Sequence, residues 1–334
     1  MEKVKIPTFK IEIEYKDVTQ DLRKFVSSIR YTDNIDLVDT LEITLNNPDG
    51  RFFKAWFPGR GTLISLKLGY EDNLLNCGTF RITELVFSGF PQTATFYATS
   101  WTYAGKYPKI FREKKTRVWE NTTLSRIVQD IAKEYGYQPY VNLKEDIEFN
   151  RIEQNNITSY EFLASLAQKY GCTVKVYREK LYFFEWNYLQ DQPTSVKITP
   201  QRILKYRIKD IPREMYKKAI VQYYDPKTKE LKEYIYEEPY LEFGGTYKVV
   251  EKAENLKQAI AMARNAIRTM NASKVKPILT LEGNPSIVAG MTLELDGFGV
   301  YDGKYLVEKA VHSISSSGYL TEVELQRCYE PLRS

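Results

Sequence analysis

The sequence predicts a mainly β protein with an α+β insert, in which two β-barrels are separated by a small α/β domain, and three observations carry that expectation. Stretches of period-two alternation occupy both ends of the chain, a section with helical spacing interrupts them, and one succession of strand, turn and hairpin occurs twice. A chain of 334 residues exceeds the usual size of one domain, so two or three cores are expected. The changes of texture place them at 1–105 (first barrel), 106–193 (linker and α/β domain) and 194–334 (second barrel with one helix).

Phe9-Lys10-Ile11-Glu12-Ile13-Glu14-Tyr15 alternates apolar and charged residues, the period of a strand with one wet face. Leu41 to Leu45, Ile64 to Leu68, Phe80 to Phe87 and Thr95 to Ser100 repeat the texture between turn signals at Asn47-Pro48-Asp49-Gly50 and Pro58-Gly59. Residues up to about Gly105 therefore form a sandwich or barrel. Asn121-Thr122-Thr123 can then cap a helix whose apolar Leu124, Ile127, Val128 and Ile131 stop before Gly136. In a second helix either Thr158 or Ser159 caps, Phe162, Leu163, Leu166 and Ala167 make the stripe, and Gly171 ends it. Strands at Thr173 to Tyr177 and Leu181 to Trp186, turned at Arg178-Glu179-Lys180, complete this unit. From about Thr194 strands return: a hairpin of Ala219 to Tyr224 with Leu231 to Glu237, then Pro277 to Leu281, Met291 to Leu295 and a hairpin over Lys304 to Gln326. One helix, Glu254 to Met270, interrupts them.

The repeat relates Leu68-Gly69-Tyr70 and Gly78-Thr79-Phe80-Arg81-Ile82 to Asp296-Gly297-Phe298 and Gly303-Lys304-Tyr305-Leu306-Val307. Both copies run strand, glycine-aromatic turn, glycine-led strand, hairpin, strand. Any two hairpins share part of this spacing; as a true repeat it means a duplicated barrel.

Composition narrows the function classes. With 43% hydrophobic and 27% charged residues the chain is an ordinary folding sequence, and its 26 tyrosines favour pleated surfaces and interfaces. The net charge of +5 is spread out, which does not point to specific nucleic-acid binding. The one basic run, Lys106 to Arg117, reads as a solvated linker or a docking strip for an acidic partner; its aromatics could alternatively stack on single strands. The opening residues have no apolar leader and no run reaches membrane-spanning length, so a cytoplasmic protein without a membrane partner is expected. Cys77, Cys172 and Cys328 are too scattered for a disulfide framework or a zinc site and read as reduced core residues.

Catalytic chemistry has little to stand on. His312 is the single histidine, so multi-histidine metal sites are out of reach, and its strand setting reads as a hydrogen-bonded structural residue. Cys172 ends a helix instead of starting one, which leaves its thiol without an activating dipole, although a Cys172 and His312 pair stays open. No phosphate-binding loop or dinucleotide fingerprint occurs, carboxylate pairs cannot be singled out, and no cofactor is expected.

At the C-terminus Leu256 to Met270 is followed by Leu279-Thr280-Leu281-Glu282-Gly283, Ala289-Gly290-Met291-Thr292-Leu293, Asp302-Gly303-Lys304-Tyr305-Leu306-Val307, His312 and Gly318-Tyr319-Leu320-Thr321-Glu322-Val323-Glu324-Leu325. This series resembles the closing barrel of the phage late control D proteins, the hubs of contractile tails, and their relatives in type VI secretion spikes. Thr123 to Gly136 and Ser159 to Gly171 are similar to the two-helix domain of that family, while residues before about Thr122 match in layout more than in motif. Gly283, Gly290, Gly303, Tyr305, His312 and Gly318 are the family-motif positions, structural and not catalytic. The resemblance implies two tail-tube-like barrels per chain and a homotrimeric, pseudo-sixfold ring in the baseplate. Its implied partners are the tail tube or a tube initiator, the spike and, further, a tape measure protein. It also implies assembly in the cytoplasm of a bacterial host followed by residence in the virion or tail-like particle. The chain is short for the family and shows no lysozyme-like or peptidase segment, so no cell-wall degradation is expected. A host-surface or carbohydrate-binding tail protein is the alternative, motivated by the tyrosine-rich strands.

Overall fold

A computed structural model describes residues 6–36, 38–100, 110, 112–177, 179–210, 215–225, 227–239, 241–272 and 275–328. The first unit contains β1 (Pro7–Ile13), β2 (Lys16–Asp17), α1 (Thr19–Arg23), β3 (Val26–Asn34), β4 (Thr40–Asn46), β5 (Leu63–Tyr70), β6 (Asn73–Ser88) and β7 (Thr93–Ser100). Its six long strands are hydrogen-bonded in the order β3-β4-β7-β6-β5-β1. The alternation seen in the sequence becomes burial. Ile11, Ile29, Ile43, Leu66, Phe80 and Phe96, one from each strand, share a single core, each worth about 1.5–3 kcal/mol when removed from water.

The middle section holds β8 (Lys114–Thr123), α2 (Leu124–Glu134), β9 (Gln138–Asn142), β10 (Glu148–Thr158), α3 (Ser159–Tyr170), β11 (Cys172–Tyr177), β12 (Lys180–Glu185) and α4 (Trp186–Asp191). Thr123 caps α2 by accepting from Arg126 N–H. Thr158, and not Ser159, caps α3: its hydroxyl accepts from Glu161 N–H while the Glu161 carboxylate accepts from Thr158 N–H. Trp186, read as the end of a strand, instead opens the short helix α4. Two pairings were not legible: the ribbon β8-β10, and β9 lying parallel to β12.

The last section holds β13 (Val196–Ile198), β14 (Ile203–Asp210), β15 (Tyr216–Asp225), β16 (Glu230–Glu237), β17 (Gly245–Lys248), α5 (Leu256–Ala272), β18 (Val275–Glu282), β19 (Thr292–Leu295), β20 (Gly303–Ser315) and β21 (Gly318–Arg327). The hairpin β15-β16 and α5 turn away from the second barrel strands. Ala219, Val221, Ala259, Met262, Ala263 and Ile267 join the core of α2 and α3, so that core draws on residues from both sides of position 194. Among the described residues no helix is long and apolar enough to cross a membrane.

The remaining strands repeat the first unit. They are paired in the order β14-β18-β21-β20-β19-β13, matching β3-β4-β7-β6-β5-β1 strand for strand and in the same chain order. The registers match as well: a bulge separates Ile82 from Glu84 opposite β7, and another separates Val307 from Lys309 opposite β21. A second pair of bulges, Val26/Ser28 against β4 and Ile203/Lys205 against β18, also coincides. Gly78 and Gly303 both adopt positive φ, 98° and 134°. One strand departs, since β1 lies antiparallel to β5 whereas β13 lies parallel to β19. The two units are fused edge to edge: β20 pairs with β3 from Lys309 opposite Asn34 to Ser315 opposite Ser28, which makes one 13-stranded sheet.

Candidate functional site

The seam between β20 and β3 gathers the buried polar groups that set how the two units and the middle section sit together. His312 comes from β20, opposite Tyr31 of β3. Both are buried, and the rings stack with centroids 6.0 Å apart. The Ile287 carbonyl, 2.9 Å from His312 Nε2, can only accept, so Nε2 carries the proton and Nδ1 accepts from the Tyr319 hydroxyl at 2.7 Å. Thr321 Oγ1 lies 3.3 Å from the same Nδ1. Burial pulls the imidazole down to about 4, so the ring is neutral at ordinary pH.

Beside it, Asp33 of β3 ties three sections together. Its carboxylate accepts from Lys175 Nζ of β11 at 2.5 Å and from Ala289 N–H, just before β19, at 2.9 Å. Lys175 also donates to Asn34 O at 2.7 Å and faces Asp39 at 3.2 Å. Burial acts to lower the Lys175 pKa, but the two carboxylates outweigh it and hold the ammonium above its ordinary value. Burial pushes the Asp39 carboxyl up to about 7 against the pull of Lys175. Its Oδ2 is buried without a hydrogen-bond partner among the described residues. A cleft of about 440 Å³ opens over this cluster, walled by Tyr31, Leu75, Tyr177, Phe184 and Met291.

Of the six motif positions, His312 and Gly283 meet at Tyr319. Gly283 N–H donates to Tyr319 O at 2.8 Å, and a Cβ on Gly283 would lie 2.0 Å from Tyr319 Cδ1. Gly318 forms the adjoining hairpin tip at φ 100°. Gly290 donates to Val307 O at 2.9 Å. Gly303 and Tyr305 lie at the far end of β20, where the buried Tyr305 hydroxyl donates to Tyr301 O at 2.8 Å. Sequence reasoning missed Asp33, Asp39 and Lys175, which are far apart in the chain and carry no local pattern.

The geometry offers little to covalent chemistry. Cys172 is bonded to Tyr170 O, in a core separate from His312, and burial raises its thiol far above the ordinary range. Among the described residues no group of three or more His, Cys, Asp or Glu could hold a metal ion. In the basic run, 106–109 and 111 lie outside the described residues; Lys115 and Arg117 both bond Glu134.

The neutral state of His312 makes a pH prediction. Between its ordinary 6.5 and about 4 the unfolded chain takes up a proton that the folded chain refuses. The stabilisation is therefore complete above 6.5 and is lost as pH falls through that window, by about 3 kcal/mol at most. Asp39 acts in the opposite sense between 3.8 and about 7, so the difference between the native chain and His312→Gln isolates the histidine. Urea melts at pH 7 and pH 4 should show the native chain losing more than the variant; equal losses would contradict this.

No family model matches the chain. Among curated proteins, the probable baseplate hub protein of Escherichia phage 186 is 31% identical over 183 residues, covering 54% of this chain and 45% of its own length. That of Escherichia phage P2 is 28% identical over 182 residues with the same coverage. The chain thus spans less than half the length of the curated relatives it matches, and the hub resemblance read from the sequence is borne out by both. Among solved structures, the 43 kDa tail protein of prophage MuSo2 from Shewanella oneidensis superposes with a TM-score of 0.72 at 14% identity, covering 96% of this chain and 98% of that one. The tail protein from Neisseria meningitidis MC58 gives 0.69 at 11%, covering 96% and 97%. The c3393 protein of E. coli, a component of the type VI secretion system, gives 0.60 at 12%, covering 96% and 77%. These likenesses establish the mainly β tail-protein fold.

Proposed function

We propose that this chain is a structural baseplate hub of a contractile phage tail or tail-like injection particle. Three copies close into a pseudo-sixfold ring that joins a hexameric tail tube to a trimeric spike. The observation that carries the reading is the doubled six-strand unit, fused edge to edge in one chain. Three such chains present six equivalent units to a sixfold partner and three copies of everything else to a threefold one, and rings of this kind close through heterologous contacts. The similarity to phage hub proteins supports the same role. On this reading the chain assembles in the host cytoplasm and ends in the baseplate. It acts by shape, without a cofactor or a reaction of its own, and the inert setting of Cys172 and His312 agrees with that.

The test is the solution mass of the purified chain by light scattering over a concentration series, with negative-stain images of the same samples. Threefold particles with a central hole are the expected result. A chain that stays single at every concentration would overturn the ring.

A further inference from the structure

The internal repeat defines two strand edges whose counterparts are covered. Aligning the bulges puts Glu84, Leu85, Val86, Phe87 and Ser88 of β6 in the places of Lys309, Ala310, Val311, His312 and Ser313 of β20. On the other side, Tyr206, Arg207, Ile208, Lys209 and Asp210 of β14 stand in the places of Ile29, Arg30, Tyr31, Thr32 and Asp33 of β3. In the second unit this part of β20 is covered by β3. In the first unit β6 has β7 on one side, and beyond Ile82, where the pairing with the β5 side ends, its other edge is open among the described residues. The open edge of β14 is the counterpart of the β3 edge that β20 covers; among the described residues β14 pairs only with β18.

The side chains follow the same logic. Ala310, Val311 and His312 are buried at the seam, whereas Phe87 is 36% exposed and Leu85 and Val86 are half-buried. Ile29 and Tyr31 are buried, whereas Tyr206 is 59% and Leu204 64% exposed. Tyr206 and Ile208 lie on one apolar face of β14, with Lys205, Arg207 and Lys209 on the other, and the exposed Leu204 sits at the bulge. Both edges thus keep the apolar pattern of a covered seam without the cover. An open edge of this kind invites another strand, and charged residues restrict which one it accepts.

We propose that the open edge of β6 takes the open edge of β14 from a second copy of this chain, antiparallel, in the register of the β20-β3 seam. Transferred residue by residue, that register sets Leu85 opposite Asp210, Val86 opposite Lys209, Phe87 opposite Ile208 and Ser88 opposite Arg207. Phe87 and Ile208 replace the His312 and Tyr31 stack by an apolar pair, and Glu84 becomes the diagonal neighbour of Lys209, close enough to pair. The contact is head to tail, so it propagates around a ring. The number of copies rests on the ring reading above; the register does not.

The experiment uses the full chain with Phe87→Cys and Ile208→Cys together. Opposed residues of an antiparallel pair lie about 4.5–5.5 Å apart, within reach of a disulfide, and Cys77, Cys172 and Cys328 are buried. Mild oxidation should give dimers and trimers on non-reducing gels, whereas Phe87→Cys with Lys205→Cys, three positions out of register, should not. Phe87→Asp alone should lower the mass seen by light scattering to that of a single chain. Because it also removes the ring contacts of Phe87 with Phe53 and Phe57, Ile208→Asp at the opposite edge is the second variant and should lower the mass in the same way. A multimer that fails to cross-link at 87 and 208 and ignores Phe87→Asp overturns the register and leaves the ring standing. A chain that is single at every concentration and never cross-links overturns both.

Discussion

Replacing Lys175 by methionine should destabilise the fold by about 3–5 kcal/mol, a large share of the roughly 5–15 kcal/mol that a domain has to lose. Methionine fills nearly the same space, so the loss comes from charge. Asp33 and Asp39 are both buried, and Lys175 is the cation that faces them. Without it Asp33 keeps one backbone donor, Ala289 N–H, and Asp39 keeps Asn34 N–H. Two carboxylates in a poorly solvated site cannot both stay ionised, so at least one must take up a proton. The deficit should therefore shrink as pH falls, because the variant takes up more protons at this cluster than the native chain, in which Lys175 already offsets part of the carboxylate charge. Urea titrations at pH 7 and pH 5 measure this directly, and adding Asp33→Asn and Asp39→Asn to Lys175→Met should recover most of the loss. A Lys175→Met variant within about 1 kcal/mol of the native chain, the range of an exposed pair, would show that the cluster is solvated.

Gly283→Ala should cost about 3 kcal/mol or more, at the upper end of what overpacking does. The added methyl would overlap the Tyr319 ring, whose nearest atoms stand 2.0 and 2.1 Å from the Cβ position. Tyr319 is buried and cannot swing away without giving up its bond to His312 and its contact with Tyr70. Either that network breaks or the backbone of β21 moves. Pairing Gly283→Ala with Tyr319→Leu, which removes the ring, should reduce the penalty of the alanine measured in that background. Chemical melts of the four chains of the cycle decide it, and fully additive costs would place the clash elsewhere.

How much of this was legible follows from range along the chain. The strand through Phe9 and the choice between Thr158 and Ser159 as the cap of α3 were readable because alternation and capping are written within a few residues. That strand stops at Ile13 because Glu14 and Tyr15 turn at positive φ instead of running on. The repeat showed itself through Gly78 and Gly303, whose positive φ restricts the residue type and so leaves a mark in the sequence. Its full extent did not, since β4 and β18 or β3 and β14 share pairing order and bulges without sharing residues. The destination of α5 was hidden because its small apolar stripe suits either neighbouring core. The candidate site was half legible. His312 and Gly283 stood out by rarity and by motif, but nothing near Lys175 says that its counter-charges come from 142 and 136 positions away, at Asp33 and Asp39.

The seam also fixes a timetable for the nascent chain. Its first opposed residues, Asn34 and Lys309, are separated by 275 positions, and a ribosome adding about 5–20 residues per second needs roughly 15–55 s to cover that distance. The first unit can complete its own strand ladder early, but Ser28 to Asn34 then wait uncovered until Lys309 to Ser315 have been made. Closure over such a span is slow because the loop entropy is spent before any contact repays it. The seam is thus a late pairing of the fold, and the waiting edge of β3 is the place where a stray strand in a crowded cell would compete with β20.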